Sequence, residues 1–462
     1  MTVHLFGAVS SPSCANFALK QTAEDNEGKA DSSALNTIRH NFYVDDCVKS
    51  VPDENQAISL VQNLKKICAT GGFKLTKWTS NSRSVLASLP VEEKAKEVKN
   101  IDLEKDELPV ERALGMRWDV ESDTFFFDIT PKQQPVSRRG ILSVLNSVYD
   151  PLGFLSPVML TGKLIQQELC KINCGWDGEI PPALASKWSE WQKDLHGISD
   201  FRIERCYKPV DFDVTDPQLH HFCDASESGY GTVSYIRFTS GSKPPHISLV
   251  MGKARVAPLK VVTIPRMELT AAVLAARIDN MLRKELGLQI SDSFFWTDST
   301  SVLKYILSDT QRFKTFVANR VSVIRDLTQK SQWRHIKTDL NPADNASRGM
   351  RADAFLKERC WLNGPDFLAK CEADWPKLST QPLVLSDSDS EVKKTVVAFA
   401  TTVHEDPLTR FIESFSSWDK LIRSTAWLLK FKGTLRHLIQ LKKAGTSHSA
   451  SVKSECVGQA AI

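Results

Sequence analysis

Four acidic residues between His221 and Gly349 constrain the fold of this chain more than any other feature. Each stands at the edge of a predicted strand or helix rather than in a charged surface run. Taken singly, each acid is most simply explained as a solvated or helix-capping carboxylate. Four such acids at element junctions within one domain-sized segment favour a shared site. They are Asp224 in F-C-D-A-S, Glu268 in P-R-M-E-L, Asp298 in W-T-D-S-T and Asp344 in N-P-A-D-N-A-S-R-G.

The residues around these acids predict strands first and then alternating helices and strands, which is typical of an α/β fold of mixed α and β elements. A turn is expected at Gly229 and Gly231. The predicted strands are 219–223, 232–238, 246–251, 294–296 and 333–336. The predicted helices are a long one beginning near Glu268, then 302–307, 316–327 and a short one from Pro342. The expected buried face of the long helix comprises Met267, Ala271, Leu274, Ile278, Met281 and Leu282.

Carboxylates gathered into one site repel one another and therefore need a counter-charge. Magnesium supplies it, because this ion takes oxygen ligands and keeps waters and substrate phosphates in its shell. Two such ions activate a water and stabilise the leaving oxygen in phosphodiester cleavage. We expect Asp224, Glu268, Asp298 and Asp344 to be both the catalytic residues and the ligands of two Mg²⁺ ions, with Mn²⁺ as an alternative.

Length and composition set the outer limits. The 462 residues suffice for two to four domains, and a net charge of +4 gives no strong global bias towards nucleic acid. The ten cysteines lack C-x-x-C spacing, which favours reduced thiols inside the cell, in the cytoplasm or the nucleus. No apolar run reaches membrane length and no signal-like start is present, so we expect neither a membrane partner nor secretion.

Residues 1–100 carry a second acidic motif. Asp45 and Asp46 are adjacent in N-F-Y-V-D-D-C-V, between apolar flanks. Neighbouring strand residues face opposite sides, so an adjacent pair fits the tip of a hairpin better than its middle. A helix is expected over 61–67, ended by Gly71, and a strand over 73–78.

The sequence Y-V-D-D after F-G-x-x-S-S-P resembles the palm of reverse transcriptases. The wider stretch N-F-Y-V-D-D-C-V-K-S is similar to the BEL/Pao class of LTR retrotransposon Pol polyproteins. By this resemblance, Asp45 and Asp46 are the catalytic and metal-binding pair, preceded by Tyr43. The other positions that match are Phe6, Gly7, Ser11 and Pro12 in the template and nucleotide pocket, and Leu114 with Gly115 in the primer grip.

In that family the first palm aspartate lies upstream of F-G-x-x-S-S-P, together with the fingers. The present sequence begins too late to contain either, so we expect a truncated palm over 1–100. A polymerase without one of its metal carboxylates does not hold both ions correctly. The expectation is no DNA polymerase activity from this chain alone, which a primer-extension assay tests.

Residues 101–211 resemble the thumb and connection of the family. The stretch S-R-R-G-I-L-S-V-L-N-S-V-Y-D-P-L-G-F predicts a helix from Arg138 that Pro151 and Gly153 stop. Arg138 and Arg139 are candidate phosphate contacts, and a solvated helix start is an equally good explanation. Three tryptophans of this segment are expected in the core, at positions Trp176, Trp188 and Trp191.

This region carries the name "Pao retrotransposon peptidase" (peptidase A17) in the family. The residues give that activity little support, because the chain has no Asp-Thr-Gly or Asp-Ser-Gly turn for an aspartic dyad. Nor does a nucleophile-elbow context surround any Ser/His/Asp or Cys/His pairing. Cleavage of a polyprotein substrate, blocked by an active-site inhibitor, is the test of the peptidase.

Residues 212–350 resemble the ribonuclease H domain of the same family, through K-A-R-V-A-P-L-K, T-I-P-R-M-E-L-T-A-A, W-T-D-S and N-P-A-D-N-A-S-R-G. The resemblance implies a ribonuclease H-like five-stranded mixed sheet with flanking helices, and it places the four acids as metal ligands. They would act on the RNA strand of an RNA–DNA hybrid, which its 2′-hydroxyls distinguish. Many ribonucleases H carry a mobile histidine before the last acid; here the nearest is His335, for which we expect a packing role. Candidate phosphate contacts are Arg255, Lys260 and Arg266, with a solvated basic edge as the alternative.

The rest of the chain follows the family in order. A segment over 351–376 continues the resemblance, and the Ser- and Asp-rich residues within 377–407 predict a flexible linker. Residues 408–443 predict a basic amphipathic helical segment. By the resemblance, it belongs to a truncated pre-integrase segment over 408–462. No H-x-x-x-H and C-x-x-C set follows, so no integrase is expected, and the helix is expected to dock on the body or to self-associate.

Two functions from different classes fit this sequence. The first is an active ribonuclease H in a fragment of a retrotransposon polyprotein. The second is a non-catalytic remnant that binds nucleic acid or a partner. Acids at all four metal-ligand positions favour the first, and loss of hybrid cleavage in Asp298→Asn distinguishes the two.

Overall fold

The computed structural model describes most of residues 9–443 and divides the chain into two units, Met1–Lys393 and Lys394–Ile462. Phe6, Gly7 and Leu114 of the motifs above lie outside the described residues, as does the tail after residue 443. Within the span, the residues left undescribed are 104, 114, 128, 130–133, 210–211, 214–215, 242, 378–384, 387 and 394–405.

Strands and helices alternate along most of the first unit. The strands are β1 (Phe42–Tyr43), β2 (Asp46–Cys47), β3 (Val110–Ala113), β4 (Met116–Asp119), β5 (Thr124–Phe126), β6 (Arg202–Glu204), β7 (Asp216–Ala225), β8 (Gly229–Thr239), β9 (His246–Val256), β10 (Asp292–Thr297) and β11 (Trp333–His335). The helices are α1 (Ser11–Asp25), α2 (Ser32–His40), α3 (Glu54–Thr70), α4 (Arg83–Ala87), α5 (Arg138–Ser147), α6 (Ser156–Lys171), α7 (Pro182–His196), α8 (Ile264–Glu285), α9 (Thr300–Leu307), α10 (Thr315–Leu327), α11 (Ala343–Arg348), α12 (Ala352–Lys357) and α13 (Arg359–Asn363).

A five-stranded mixed sheet positions the site, with strand order β11-β10-β7-β8-β9. β10 runs parallel to both β7 and β11, whereas β8 is antiparallel to β7 and β9. β7 is central, and its residues from Gln218 to Ala225 are buried on both faces, as a covered strand requires. The mixed five-stranded sheet predicted from the sequence is confirmed.

Helices cover both faces of this sheet because side chains alternate along each strand. On one face Phe295 packs with α8, α9 and α10 in a core that includes Leu269 and Val317. On the other face the neighbouring Trp296 belongs to a core shared with α6 and α11. The acids stand at the ends of elements that these two cores hold in place.

Helices α5 to α7 share the second of these cores with the sheet. The Trp361 indole Nε1 donates to the backbone oxygen of Phe154 at 2.8 Å. Gly153 has φ +72°, and a Cβ built there would lie 1.8 Å from the backbone oxygen of Gly252 in β9, so only glycine fits this contact. The hydrophobic core is therefore continuous across residue 211, where the sequence analysis places a domain boundary.

The N-terminal residues build smaller elements around a core of their own. Helices α1, α2 and α3 pack through residues that include Leu35, Ile38 and Leu64. The strands β1 and β2 form the expected hairpin, and β3 to β6 form a separate antiparallel sheet. Gly71 follows the end of α3, as predicted.

Two glycines that the sequence assigns to a turn lie inside a strand, so that prediction is wrong. Gly229 and Gly231 belong to β8, where Gly231 is paired with Asp224. A Cβ at Gly231 would meet the Cβ of Ala346 at 2.6 Å. These positions are glycine because α11 lies directly on the strand, not because the chain turns there.

Three further predictions about packing are wrong. The stretch 73–78 forms no strand, and Trp78 makes only an isolated bridge with Lys94. Trp176 is 46% exposed because its ring lies outside the core under the Arg138 guanidinium, 4.3 Å from the ring centroid. Met281 is 38% exposed because α8 turns that position away from the sheet.

Part of the segment predicted to be a flexible linker packs on the body of the first unit. Val392 is 7% exposed and forms a bridge with Phe313. Val392, together with Asp389 and Glu391, which are hydrogen-bonded to Tyr305 and Arg266, therefore holds Ser388–Lys393 in place. The composition of this stretch alone indicates a flexible linker. The remaining residues of the predicted linker are described only in part.

The second unit contains α14 (Pro407–Glu413) and α15 (Trp418–Lys443), at the place of the predicted amphipathic segment. Its large apolar side chains are exposed, among them Trp418 at 73% and Trp427 at 64%. Among the residues that the structure describes, no helix is long and apolar enough to cross a membrane.

Candidate active site

Two of the predicted acids are neighbours at one edge of the sheet. In the parallel pair β7–β10, Cys223 stands opposite Thr297. The next residue in the chain after each of these is an acid: Asp224 still lies in β7, and Asp298 directly follows the end of β10. Because paired strands are about 4.8 Å apart, the two acids come close together at this edge. Asp224 is 5% exposed and Asp298 is half-buried.

The third acid reaches the same edge from the first turns of α8. The Ser299 hydroxyl donates to Glu268 Oε2 at 2.6 Å, and Ser299 directly follows Asp298 in the chain. Ser299 also caps α9, because its oxygen accepts from the backbone N–H of Val302. One serine thus fixes both the start of α9 and the position of Glu268.

The fourth acid arrives on α11. The Ser347 hydroxyl donates to Asp224 Oδ2 at 2.5 Å, which ties this short helix to β7. Upstream, the Asn341 amide donates to the backbone oxygen of Cys223 at 3.2 Å and is itself buried. Asp344 accepts from Arg348 Nε at 2.5 Å on the outer side of the same helix.

The charge of Asp298 affects the pKa values of both Asp224 and Glu268. Burial raises the pKa of Asp224 to about 6, with further contributions from the charges of Asp298 and, more weakly, Asp344. Burial also raises the pKa of Glu268; the Ser299 hydrogen bond opposes this, and the charge of Asp298 adds to it. These carboxylates therefore lack a sufficient counter-charge within the chain.

The one cation bonded to the acids is Arg348, within the part of the chain that the structure describes. Its hydrogen bond with Asp344 raises its pKa, as do the charges of Asp344, Asp224 and Asp298. Among the four acids as the structure describes them, Arg348 forms its ion pair with Asp344. The inner acids are left to repel each other.

The donor set fits a hard divalent cation, since all of its atoms are carboxylate oxygens. As the side chains lie, however, no three acidic, histidine or cysteine residues in the described ranges stand together closely enough to hold a metal ion. Asp224 and Glu268 are turned towards Ser347 and Ser299, and Asp344 towards Arg348. A metal would have to draw these side chains from their present partners.

The predicted polymerase pair lies elsewhere in the chain. Asp45 and Asp46 are exposed at the tip of the β1–β2 hairpin, beside Tyr43, which is 70% exposed. Val44 at this tip has φ +54°. The expected hairpin tip is confirmed in shape, and the polymerase role stays a prediction.

The candidate phosphate contacts differ in what they already bind. Arg139 forms a two-pronged pair with Asp177 at 2.7 and 2.9 Å, and Arg138 donates to the backbone oxygen of Cys174. Arg255 and Lys260 are exposed at and beyond the end of β9. Their roles in nucleic-acid binding remain predictions.

Arg266 is engaged more fully than the others. Its guanidinium binds both carboxylate oxygens of Glu391, at 2.8 and 3.0 Å. It also lies over the Phe316 ring, 5.0 Å from the centroid. The sequence analysis names Arg266 but not Glu391.

His335 lies in β11, half-buried, and lines a cavity of about 370 Å³ beside Trp333 and Trp375. The packing role expected for His335 stays a prediction. The residues that sequence reasoning missed are Ser299, Ser347, Asn341 and Arg348, each of which orients an acid or its element. All four stand within three or four residues of a predicted acid, which is the only sequence signal they carry.

A hydrogen-bonded Ser-His-Asp network does occur, but it is buried and is not a catalytic site. His221 is bonded to Ser234 Oγ at 2.7 Å and to Asp279 Oδ1 at 3.0 Å. These residues are 0%, 0% and 3% exposed, respectively, so no substrate reaches them. The network joins β7, β8 and α8 in the core and lends no support to a peptidase.

Comparison with known proteins assigns part of this chain. Residues 137–299 match the family model described as "Pao retrotransposon-like RNaseH-like domain". This range begins at α5 and ends just after Asp298, so it includes the helices that share the core of the sheet. No curated protein matches the chain.

Solved structures with some similarity are RNases H. The N-terminal RNase H domain of a Mycobacterium tuberculosis protein, fused to maltose-binding protein, has 12% identity and a TM-score of 0.21 over 31% of this chain and 98% of that chain. RNase H1 from the halophilic archaeon Halobacterium salinarum NRC-1 has 15% identity and a TM-score of 0.18 over 30% and 94%. The LC11 RNase H1 in complex with RNA/DNA hybrid has 10% identity and a TM-score of 0.20 over 30% and 99%. Residues 137–299 are therefore similar to the family described as Pao retrotransposon-like RNaseH-like domain.

Proposed function

We propose that this chain hydrolyses the RNA strand of RNA–DNA hybrids in a reaction that depends on Mg²⁺. The proposal is supported by the contacts that bring the elements of the four acids to one edge of the sheet. Asp224 and Asp298 follow paired residues of β7 and β10, Glu268 bonds to Ser299, and α11, which carries Asp344, bonds to Asp224 through Ser347. Burial and mutual repulsion raise the pKa of Asp224 and Glu268 there, as expected of a site prepared for a cation. The RNase H-like family match over 137–299 supports the same reaction.

Asp224, Glu268, Asp298 and Asp344 would hold the metal. When bound, two Mg²⁺ ions would supply an activated water and stabilisation of the leaving oxygen. The chain itself contributes position: Ser347 orients Asp224, Ser299 orients Glu268, and Asn341 fixes the loop that precedes Asp344. We propose that the hybrid is recognised partly through the 2′-hydroxyls of its RNA strand.

The test is cleavage of a labelled RNA–DNA hybrid, with DNA duplex and RNA duplex as the comparison substrates. We expect Mg²⁺-dependent cleavage of the hybrid RNA strand alone, lost by about a thousandfold in Asp298→Asn because a central oxygen ligand is removed. Asp292→Asn is the matched control, since Asp292 is exposed at the opposite end of the same strand. Equal activity in both variants would rule out the proposed site.

A second candidate is a remnant that binds the hybrid without cleaving it. It is favoured by one observation: among the described residues, no three acids stand close enough to hold an ion, and Asp344 is paired with Arg348. Hybrid binding that is unaffected by Mg²⁺, with no cleavage by the unmodified chain, would identify this alternative.

A further inference from the structure

A short acidic strap, Ser388–Lys393, lies against the first unit beside α8 and α10. Its backbone is fixed: the Lys314 N–H donates to the Glu391 backbone oxygen at 2.8 Å. Its apolar residue Val392 is 7% exposed and packs with Phe313 in the core under α8 and α10. The strap is therefore held in a defined position by a backbone hydrogen bond and an apolar contact.

Glu391 of the strap forms a bidentate ion pair with the guanidinium of Arg266. Both oxygens of Glu391 accept from Arg266, at 2.8 and 3.0 Å, and the Glu391 side chain is 9% exposed. Arg266 shares the ring of Phe316 with Arg320, whose guanidinium lies 3.4 Å from the ring centroid. Arg320 is held there by hydrogen bonds to the Thr270 hydroxyl and the Phe316 backbone oxygen. Two guanidiniums beside one aromatic ring form a cationic surface that suits either a carboxylate or a phosphate.

This surface borders the candidate active site. Arg266 precedes Glu268 by two residues in the first turns of α8. A second strap acid, Asp389, accepts from the Tyr305 hydroxyl at 3.2 Å, and Tyr305 lies on α9, the helix that begins after Asp298. Burial, the charge of Asp389 and, more weakly, the charge of Glu268 raise the pKa of Tyr305, so this part of the strap lies within electrostatic range of one of the carboxylates proposed to hold the metal.

We propose that the Arg266–Phe316–Arg320 surface is a binding site for a backbone phosphate of the nucleic-acid substrate, and that Glu391 stands in for that phosphate in the free chain. The inference rests on the proposed function, because the ligand is the same hybrid. A phosphate of the substrate and the Glu391 carboxylate then compete for the same Arg266 guanidinium. Hybrid binding requires Glu391 to leave, and this lowers the affinity of the chain as it stands.

The experiment measures hybrid binding by fluorescence anisotropy in EDTA, so that no metal is bound and no cleavage occurs. We compare the unmodified chain with Glu391→Gln, Arg266→Gln and the double variant. Glu391→Gln is expected to tighten binding roughly three- to tenfold and to steepen the dependence of log Kd on log salt by about one phosphate contact. The double variant is expected to bind like Arg266→Gln alone.

Glu168→Gln is the matched control. It removes the same charge from a glutamate paired with Lys187 on the surface formed by α6 and α7, away from the strap. Val392→Ser is a second way to release the strap without altering a charge, and it is expected to reproduce the gain. Thermal unfolding of each variant shows whether it is folded.

Unchanged affinity in folded Glu391→Gln and Val392→Ser would overturn the inference and leave the strap as a structural clasp. So would an equal gain in Glu168→Gln or in the Arg266→Gln background. If Glu391→Gln binds the hybrid more tightly only when Arg266 is present, but the chain cleaves no hybrid when Mg²⁺ is added, the phosphate site is upheld and the nuclease function is refuted. Mg²⁺-dependent cleavage without tighter binding by Glu391→Gln would uphold the nuclease function and refute the phosphate site. If none of the proteins binds the hybrid, both proposals are refuted.

Discussion

At the scale of single residues, the candidate site is built from acids that water no longer fully solvates. Asp224 is 5% exposed, and its one side-chain partner is the neutral hydroxyl of Ser347. Ionised carboxylates in such surroundings weaken the folded state, because neither water nor a cation balances their charge. A site of this kind costs stability until a cation binds.

The pH dependence of stability follows from Asp224 in the metal-free protein. Its pKa in the folded chain is about 6, above the ordinary 3.8, so the folded state binds this proton more tightly than the unfolded state. Stability from this group is therefore complete below about pH 4 and is lost as pH rises to about 6. In EDTA, Asp224→Asn is expected to remove that decline and to stabilise the chain at neutral pH by about 1 to 3 kcal/mol.

Thermal unfolding between these pH values measures the effect, with Asp292→Asn as the control for loss of a carboxylate. A variant whose stability falls with pH as steeply as that of the unmodified chain would contradict the role given to Asp224.

At the scale of elements, the position of Asp344 depends on how closely α11 lies on β8. The contact is made between Ala346 and Gly231, which has no Cβ to hold the helix away. Ser347 then reaches Asp224 across the same interface. The glycine thus brings the fourth acid to the site without being part of it.

Gly231→Ala is expected to push α11 away from the strand. The added Cβ would lie 2.6 Å from the Ala346 Cβ and 2.8 Å from the Lys253 backbone oxygen, and neither atom is the end of a flexible side chain. We expect destabilisation of about 1 to 3 kcal/mol and a loss of hybrid cleavage larger than the loss of hybrid binding.

The control is Gly241→Ala, at an exposed position where a Cβ meets nothing within 4 Å. Full cleavage activity in Gly231→Ala would show that α11 need not be held this closely.

The sequence predicts the elements of the site better than their contacts. The strands that carry Asp224 and Asp298 and the helix that carries Glu268 follow from local hydrophobic patterns, and the structure confirms them. Local patterns do not predict the role of Gly231, because this position must be glycine to make room for Ala346, which is more than a hundred residues away in the chain. The Glu391–Arg266 pair escapes for the same reason, since a Ser- and Asp-rich stretch has the composition of a linker.

At the scale of the whole molecule, the sheet is stabilised by helices that precede it in the sequence. Helices α5 to α7 contribute to the same core as α11 and the Trp296 side of the sheet. The family match over 137–299 begins at the first of these helices. We infer that residues 137–211 belong to the same compact body as the five-stranded sheet.

Leu160→Ala tests this continuity in the full chain. Leu160 on α6 is fully buried, and its Cδ2 would lie 3.3 Å from a Cβ at Gly229, the first residue of β8. The truncation is expected to cost about 2 to 5 kcal/mol and to weaken the sheet together with the helices. Circular dichroism should show one transition, in which both parts melt at a lower temperature.

Leu356→Ala, at an exposed leucine of α12, serves as the control. Separate melting of the helices, with hybrid cleavage preserved above that transition, would argue for independent domains.

The second unit contributes a different kind of surface. Helix α15 carries exposed apolar residues and seven lysines and arginines against one acid, Asp419. Its predicted docking or self-association stays a prediction, because the structure describes the unit by itself.

The most direct test of the shared site is the effect of Mg²⁺ on thermal unfolding, which needs neither substrate nor turnover. Millimolar Mg²⁺ is expected to raise the melting temperature of the unmodified chain by roughly 2 to 6 °C, because the ion binds only the folded arrangement of acids. Asp224→Asn and Asp298→Asn should lose this increment, and Asp292→Asn should keep it. An increment that is absent from the unmodified chain, or equal in all four proteins, would contradict a common metal site built by these distant acids.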